Sequence, residues 1–390
     1  MIPLMKHTFL NEIETKKALS EFITVSDKLS MGKKCFEFEK KFARYQTSRH
    51  AILFNSGASA NLAVMQSLRN LGKLKPGDKI GFSALTWSTN VMPIIQMGFE
   101  PVPIDCEVRT LNVSSQILEK RLKEIKIAAL FITNALGLTG DLNKIKEICN
   151  RKKIILIEDN CEALGTELPS GKSGTFGQAA SHSFFVAHHM STVEGGMLCT
   201  DDEELAEMTR IVRANGWDRN LTPSQQLKWR KKFKVNNEYE SKYVFYDLAY
   251  NLRPTEITGF LGIEQLKYLK DNVKRREKNY RLLESAVEKN PELIPFDTSH
   301  LKVVSSFAFP IICRDPKAMK KYLLRFFEAA IEIRPVIAGN IQKQPFYKKY
   351  VKKLYPLPNT DFIHNHGFYC GNYPELADSD LKIILDCLKI

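Results

Sequence analysis

The chain has 390 residues, 44% hydrophobic and 26% charged, with a net charge of +13, ordinary proportions for a globular protein with room for two or three domains. No apolar run reaches the roughly 18 residues that span a bilayer and the N-terminus lacks the regions of a signal peptide, so a cytoplasmic protein without a membrane partner is expected. The eight cysteines form no Cys-x-x-Cys pair, against a local zinc or iron–sulfur motif; the basic runs at 228–234, 274–276 and 348–353 are scattered and carry no nucleic-acid motif, so they read as solvated faces or as a field that draws in an anionic substrate.

Residues 1–25 read as an N-terminal arm with a short helix. Glu37 to Tyr45 reads as an amphipathic helix with Phe38, Phe42 and Ala43 on one side. Ala51 to Phe54 is a short buried strand. Asn55-Ser-Gly-Ala-Ser59 follows, then a helix with Leu62, Met65 and Leu68 on its apolar stripe. Strands at 79–83, 101–105 and 127–133 alternate with helices at 90–97 and 141–151. A strand at 154–157 ends in Glu158-Asp159-Asn160. This alternation predicts an α/β fold with a mostly parallel sheet covered by helices, and ligands at the carboxyl ends of its strands.

Phe184 to Ala187 reads as an apolar strand running into His188 and His189. A loop closes on Glu194-Gly195-Gly196, and another strand starts at Met197. Beyond Arg253-Pro254 the pattern changes to a helix at 256–270, a second to about Lys289, strands at 302–312 and 330–337, and a closing helix at 378–388. The expected organisation is a large domain over 26–252 and a smaller α/β domain over 253–390.

Several residues are candidates for chemistry. Free N–H groups at a helix start bind anions, and Gly57 would let a phosphate approach closely; the same residues serve equally well as a cap. Asp159 at a strand end can hold a protonated ring nitrogen, bind a metal or cap the next helix. Trp87 can stack on a flat ligand or fill core. His188 and His189 are adjacent in a segment expected to be extended, and such neighbours point opposite ways, so no metal site is expected.

The ordered motifs resemble a known family. They are Phe38-Glu39 with Phe42-Ala43, Asn55-Ser-Gly-Ala-Ser-Ala, Ile157-Glu-Asp-Asn-Cys-Glu-Ala-Leu-Gly165, Ser183-Phe-Phe, Glu194-Gly-Gly with Thr200-Asp-Asp202, and Tyr250-Asn-Leu-Arg-Pro-Thr-Glu256 before Gln265-Leu266. Together they are similar to the DegT/DnrJ/EryC1/StrS sugar aminotransferases, pyridoxal 5'-phosphate (PLP) enzymes of the type I aminotransferase fold. The resemblance implies that Gly57, Ala58 and Ser183 bind the cofactor phosphate. Trp87 would stack on the pyridine ring, Asp159 would pair with its nitrogen, and Glu162 would stand near its hydroxyl, where most members have glutamine. Asn251 would reach the phosphate of a partner subunit, which implies a homodimer with shared active sites.

His188 departs from that family's usual pattern, which has the Schiff-base lysine there. Imidazole cannot form that bond, but it can act as a general base. In this the chain resembles the subgroup of nucleotide-sugar 3-dehydratases. The resemblance implies that PLP or pyridoxamine 5'-phosphate is held without a covalent link, that a nucleotide-diphospho 4-keto-6-deoxy sugar loses its C3 hydroxyl, and that L-glutamate restores the amine. Relatives that use an iron–sulfur cluster carry a Cys-x-Cys pair, which is missing here. Arg334 and Asn340 fall in segments similar to sugar-binding ones, and Asp247 stands where related dehydratases have histidine. Ordinary transamination to an amino sugar is the alternative.

Overall fold

The computed structural model describes residues 1–390. Helices α1 (Glu12–Val25) and α2 (Lys33–Gln46) precede β1 (His50–Phe54) and α3 (Gly57–Asn70). The chain continues through β2 (Lys79–Ser83), α4 (Met92–Gln96), β3 (Glu100–Ile104), α5 (Ser115–Glu124), β4 (Ala129–Thr133), α6 (Leu142–Lys152) and β5 (Ile155–Asp159). A hairpin of β6 (Glu167–Leu168) and β7 (Gly171–Lys172) leads to β8 (Ala179–Ser183) and β9 (Gly196–Thr200). Helices α7 (Glu203–Arg213), α8 (Pro223–Lys232), α9 (Glu256–Leu266) and α10 (Leu269–Glu288) follow.

The large sheet has seven strands in the order β1-β9-β8-β5-β4-β2-β3. β3, β2, β4, β5 and β8 pair in parallel, while β9 runs antiparallel between β8 and β1. β1 therefore points the same way as the parallel set. β4, β8 and β9 are buried along their whole length, as a sheet covered on both faces requires. The carboxyl ends of β1, β2, β4, β5 and β8 open on one edge, and the loops that follow β1, β2, β5 and β8 carry the candidate residues.

The second sheet is small and antiparallel, β10 (Ala308–Ile312), β12 (Gly367–Gly371) and β11 (Ile333–Pro335) in that spatial order. It is accompanied by α11 (Pro316–Glu328), α13 (Pro358–His366) and α14 (Asp378–Cys387), while α12 (Pro345–Tyr350) packs through Tyr347 against Phe82 of the large sheet. The small sheet's apolar side chains belong to the same buried cluster as Ile104, Leu130 and Leu156 of the large sheet. One continuous core thus fixes the small sheet over the strand ends.

Two expectations are corrected. Phe184 to Ala187 is a loop, and the strand before it is Ala179–Ser183. Phe184 is apolar because it packs between Phe38 and Phe42, at 5.2 Å from each ring. A turn closed by the His188 N–H on the Phe185 carbonyl then takes the chain off the sheet. The first of the two helices expected beyond Arg253-Pro254 ends at Leu266 rather than at 270, and the second starts at Leu269. The first is pressed onto α2: a Cβ on Gly262 would come within 2.3 Å of the Phe38 ring, and one on Gly259 within 2.5 Å of the Cys35 nitrogen. The N-terminal arm is also more than a short helix. Ile2 bridges to Ile331 in parallel, and the Leu4 N–H donates to Glu332 Oε2 at 3.0 Å, which carries Leu4 to the edge of the cavity.

Candidate active site

A cavity of about 490 Å³ opens at the strand ends. Gly57, Ala58, Trp87, Asp159, Glu162, Ser183 and His188 all line it, joined by Asn61, Thr89, Thr133, Cys161 and Glu194. Leu4, Phe185, Phe307, Ile337 and Tyr369 supply an apolar wall.

One end is a cradle of bare backbone. Ser56 caps α3 by accepting the Ser59 N–H at 3.1 Å, which leaves the N–H groups of the helix's first residues without intrahelical acceptors. A Cβ on Gly57 would lie 2.9 Å from Ser183 Cβ, and one on Gly196 would lie 2.2 Å from the Ser56 carbonyl oxygen. Glycine at both places lets β9 and the Ser56–Gly57 peptide close on Ser183. An anion at the start of α3 would meet free N–H groups and the positive end of the helix dipole.

Asp159 ends β5 on the cavity floor. Its Oδ2 accepts from Asn61 Nδ2 at 3.0 Å and from Asn90 Nδ2 at 2.7 Å, and its Oδ1 from the Cys161 N–H at 2.9 Å. Three N–H donors from three segments hold the carboxylate in place. Glu158, one residue earlier, faces away and is consumed by the N–H groups of Gly174, Phe176 and Gly177. Glu162 Oε2 accepts the Leu136 N–H at 2.8 Å. Burial pushes its carboxyl up to about 7; the Leu136 N–H opposes this and the nearby Asp159 adds to it. Trp87 is 56% exposed, an indole face available to a flat ligand.

His188 lies in the loop after β8. Its ring packs against Phe307, with centroids 4.9 Å apart, and against Phe185 at 6.2 Å. Its Nδ1 is buried without a partner. Burial pushes the imidazole down to about 4; Asp159 opposes the shift and Arg276 reinforces it, so the ring is neutral near pH 7. His189 points elsewhere, with Nε2 2.9 Å from the Ser305 carbonyl. No lysine lines the cavity.

The remaining sequence candidates lie outside this cavity. Asn251 is exposed, and its Oδ1 accepts from Arg253 at 3.0 Å. Asp247 accepts the Leu248 N–H. Arg334 is exposed and paired with Glu332 at 2.6 Å. Asn340 is buried; it donates to Asp361 at 2.9 Å and accepts the Gln342 N–H at 3.0 Å. The sequence did not single out Asn61 or Asn90, although Asn61 directly follows the Asn55–Ala60 motif. It also missed Phe307 and Leu4, which come from distant segments and bear no local signal.

The sequence model of the DegT/DnrJ/EryC1/StrS aminotransferase family matches residues 11–389. The chain belongs to that family. Among its relatives, the GDP-4-keto-6-deoxy-D-mannose 3-dehydratase of Yersinia pseudotuberculosis is 32% identical over 371 residues, 93% of each chain. A solved GDP-4-keto-6-deoxymannose 3-dehydratase variant with bound GDP-perosamine superposes with a TM-score of 0.90 at 29% identity, covering 100% of both chains. Another structure of a GDP-4-keto-6-deoxymannose 3-dehydratase, holding a trapped PLP-glutamate geminal diamine, gives 0.89 at 29% identity, again over 100% of both chains. The fold of this family member is the aminotransferase fold, with its large, mostly parallel sheet flanked by helices.

Proposed function

We propose that this family member is a PLP-dependent nucleotide-sugar 3-dehydratase, which removes the C3 hydroxyl of a nucleotide-linked 4-keto-6-deoxy sugar. The observation that carries this reading is the cavity floor, where His188 stands beside Asp159 and no amine is available for a covalent link.

The residues present fit the cofactor. The Gly57 and Ala58 N–H groups and the Ser183 hydroxyl would hold its phosphate in the glycine cradle. Asp159 would accept from its ring nitrogen, Trp87 would cover its face and Glu162 would stand near its ring hydroxyl. When bound, the cofactor supplies an electron sink and, in its amine form, the nitrogen that joins the sugar at C4. His188, neutral near pH 7, would take the proton at the cofactor's C4′ carbon as general base. Phe307 and Ile337 supply an apolar wall on this side of the cavity. The C3 hydroxyl would leave as water on taking up a proton, hydrolysis by a second water would release the 3-deoxy-4-keto sugar and ammonia, and L-glutamate would restore the amine form.

The nucleotide-diphospho sugar enters from the open side, with Arg334 and Asn340 on the segments that border it. Residues 26–252 form the cofactor-binding part and 253–390 the smaller part that covers it. Asn251, exposed on its own chain, completes the phosphate site of a second copy, so that a homodimer is the working unit.

Mass spectrometry of the product decides the reading. Incubation with glutamate, cofactor and GDP-4-keto-6-deoxymannose should yield a sugar that has lost the C3 oxygen. A product that retains that oxygen and has gained nitrogen would establish transamination instead.

A further inference from the structure

Arg213 has no place in the cavity, yet four chain segments meet on it. It ends α7 and is completely buried. Its Nη1 donates to Glu39 Oε1 on α2 at 2.6 Å and to the Leu53 carbonyl on β1 at 2.7 Å. Glu39 Oε1 also accepts the Leu53 N–H at 2.8 Å. Carboxylate and guanidinium together hold both backbone polar groups of one residue, and the chain runs from Leu53 through Phe54 into the Asn55–Gly57 loop.

The backbone around Arg213 holds a second segment. Its carbonyl accepts the Leu252 N–H at 2.9 Å, and the Val212 carbonyl accepts the Tyr250 N–H at 2.9 Å. Ala214 bridges to Asn251 in antiparallel fashion. The Leu252 carbonyl in turn accepts the Asn55 N–H at 3.1 Å, so the Asn251 segment and the phosphate loop are tied to each other as well as to Arg213.

A buried ion pair is a poor way to add stability, because desolvating both charges offsets most of their attraction and apolar side chains of like size hold a core as well. Hydrogen bonds to specific backbone atoms fix direction and distance, which apolar contact leaves loose. We infer that the Glu39–Arg213 pair is a positioning element for cofactor binding, which sets the Asn55–Gly57 loop of its own site and the Asn251 segment that serves the neighbouring subunit's site. This rests on the proposed sharing of the site between two copies.

The test begins with the double variant Glu39→Gln with Arg213→Met, which removes both charges at similar size. Titration of pyridoxamine phosphate into the cofactor-free dimer, followed by fluorescence, should show affinity about tenfold weaker, the kind of loss a small misplacement of a binding loop produces. Glu39→Gln alone, which keeps shape and hydrogen bonding, should lose less. Thermal melting of each variant reports folding separately. Unchanged affinity in the double variant overturns the inference.

Hybrid dimers then read the reach across subunits. One subunit carries His188→Asn, so that only the other subunit's site turns over. When the silent subunit also carries the double change, the working site has its own loop intact and receives Asn251 from the altered chain. Its KM for pyridoxamine phosphate should rise about tenfold with little change in kcat; a purely structural pair would leave it unmoved. A control hybrid with Asn251→Ala in the silent subunit should lose affinity too. No loss in the control overturns the shared site and the inference with it. Loss in the control without loss in the first hybrid overturns the inference alone.

Discussion

The ring of Phe307 lies over the imidazole of His188, with centroids 4.9 Å apart and planes inclined by 36°. Phe307 itself is held from two sides. Its carbonyl accepts from Arg276 Nη1 at 2.8 Å, and its N–H donates to the Leu136 carbonyl at 3.2 Å. The imidazole therefore rests on a residue just before the small sheet, while its own backbone lies in the loop that follows β8 of the large one. Phe307→Leu keeps the apolar volume and removes the flat face. The expected result is a kcat about tenfold lower, with cofactor affinity measured by titration nearly unchanged. Equal losses in both would show that Phe307 shapes the cofactor site as a whole.

His188→Lys places an amine where the imidazole now stands. Borohydride treatment of this variant with PLP should leave a covalent adduct on residue 188 by peptide mass spectrometry, and the native protein should leave none. Dehydration should fall by at least about a hundredfold, the usual contribution of a positioned general base. Dehydration at the native rate would remove His188 from the proposed mechanism.

Glu162 is pushed up to about 7 by burial, so it is mostly neutral below that pH and charged above it. Any dependence of turnover on its protonation appears as an inflection near 7 in the pH profile of kcat/KM. Glu162→Gln preserves an acceptor for the Leu136 N–H and cannot ionise. Its profile should be flat through pH 6–8 where the native one bends. Persistence of the bend in the variant would assign it to another group.

His182 is a structural counterpart. It is fully buried on β8 with both ring nitrogens unpartnered, its ring 5.1 Å from that of Phe42. Burial pushes its value down to about 3, while the unfolded chain takes up a proton near 6.5. Between these values the unfolded state binds more protons, so stability falls as pH drops through this window. The group contributes at most about 1.4 kcal/mol per pH unit. In urea unfolding, His182→Leu should lose less stability than the native protein between pH 6.5 and 5.5, by about 1 kcal/mol.

Gly196→Ala would drive a Cβ to 2.2 Å from the Ser56 carbonyl oxygen. That oxygen is backbone just before α3 and has no flexible end to move. Stability should drop by about 1–3 kcal/mol, and cofactor affinity should fall along with it in the same titration.

Much of this was legible in the chain. Alternation of short apolar runs with helices determined the α/β layering, because a strand buried on both faces needs an unbroken apolar run and a helix needs one apolar stripe. Local motifs placed Gly57, Ala58, Trp87, Asp159, Glu162, Ser183 and His188 at strand ends, where short loops hold them close to the sheet edge. β8 escaped notice because Ala-Ala-Ser-His-Ser has no apolar pattern; its burial comes from its neighbours in the sheet.

The sequence by itself determined which side chains are available for chemistry, including the histidine in place of an amine. Only the tertiary structure decided how they act together. Asn61 and Asn90 converge on Asp159 because a helix and a turn from different loops meet at one strand end. Phe307 reaches His188 because a core shared by both sheets brings the small one over the large. The depressed value of His188 and the raised value of Glu162 follow from burial, which belongs to the packed molecule rather than to any stretch of chain.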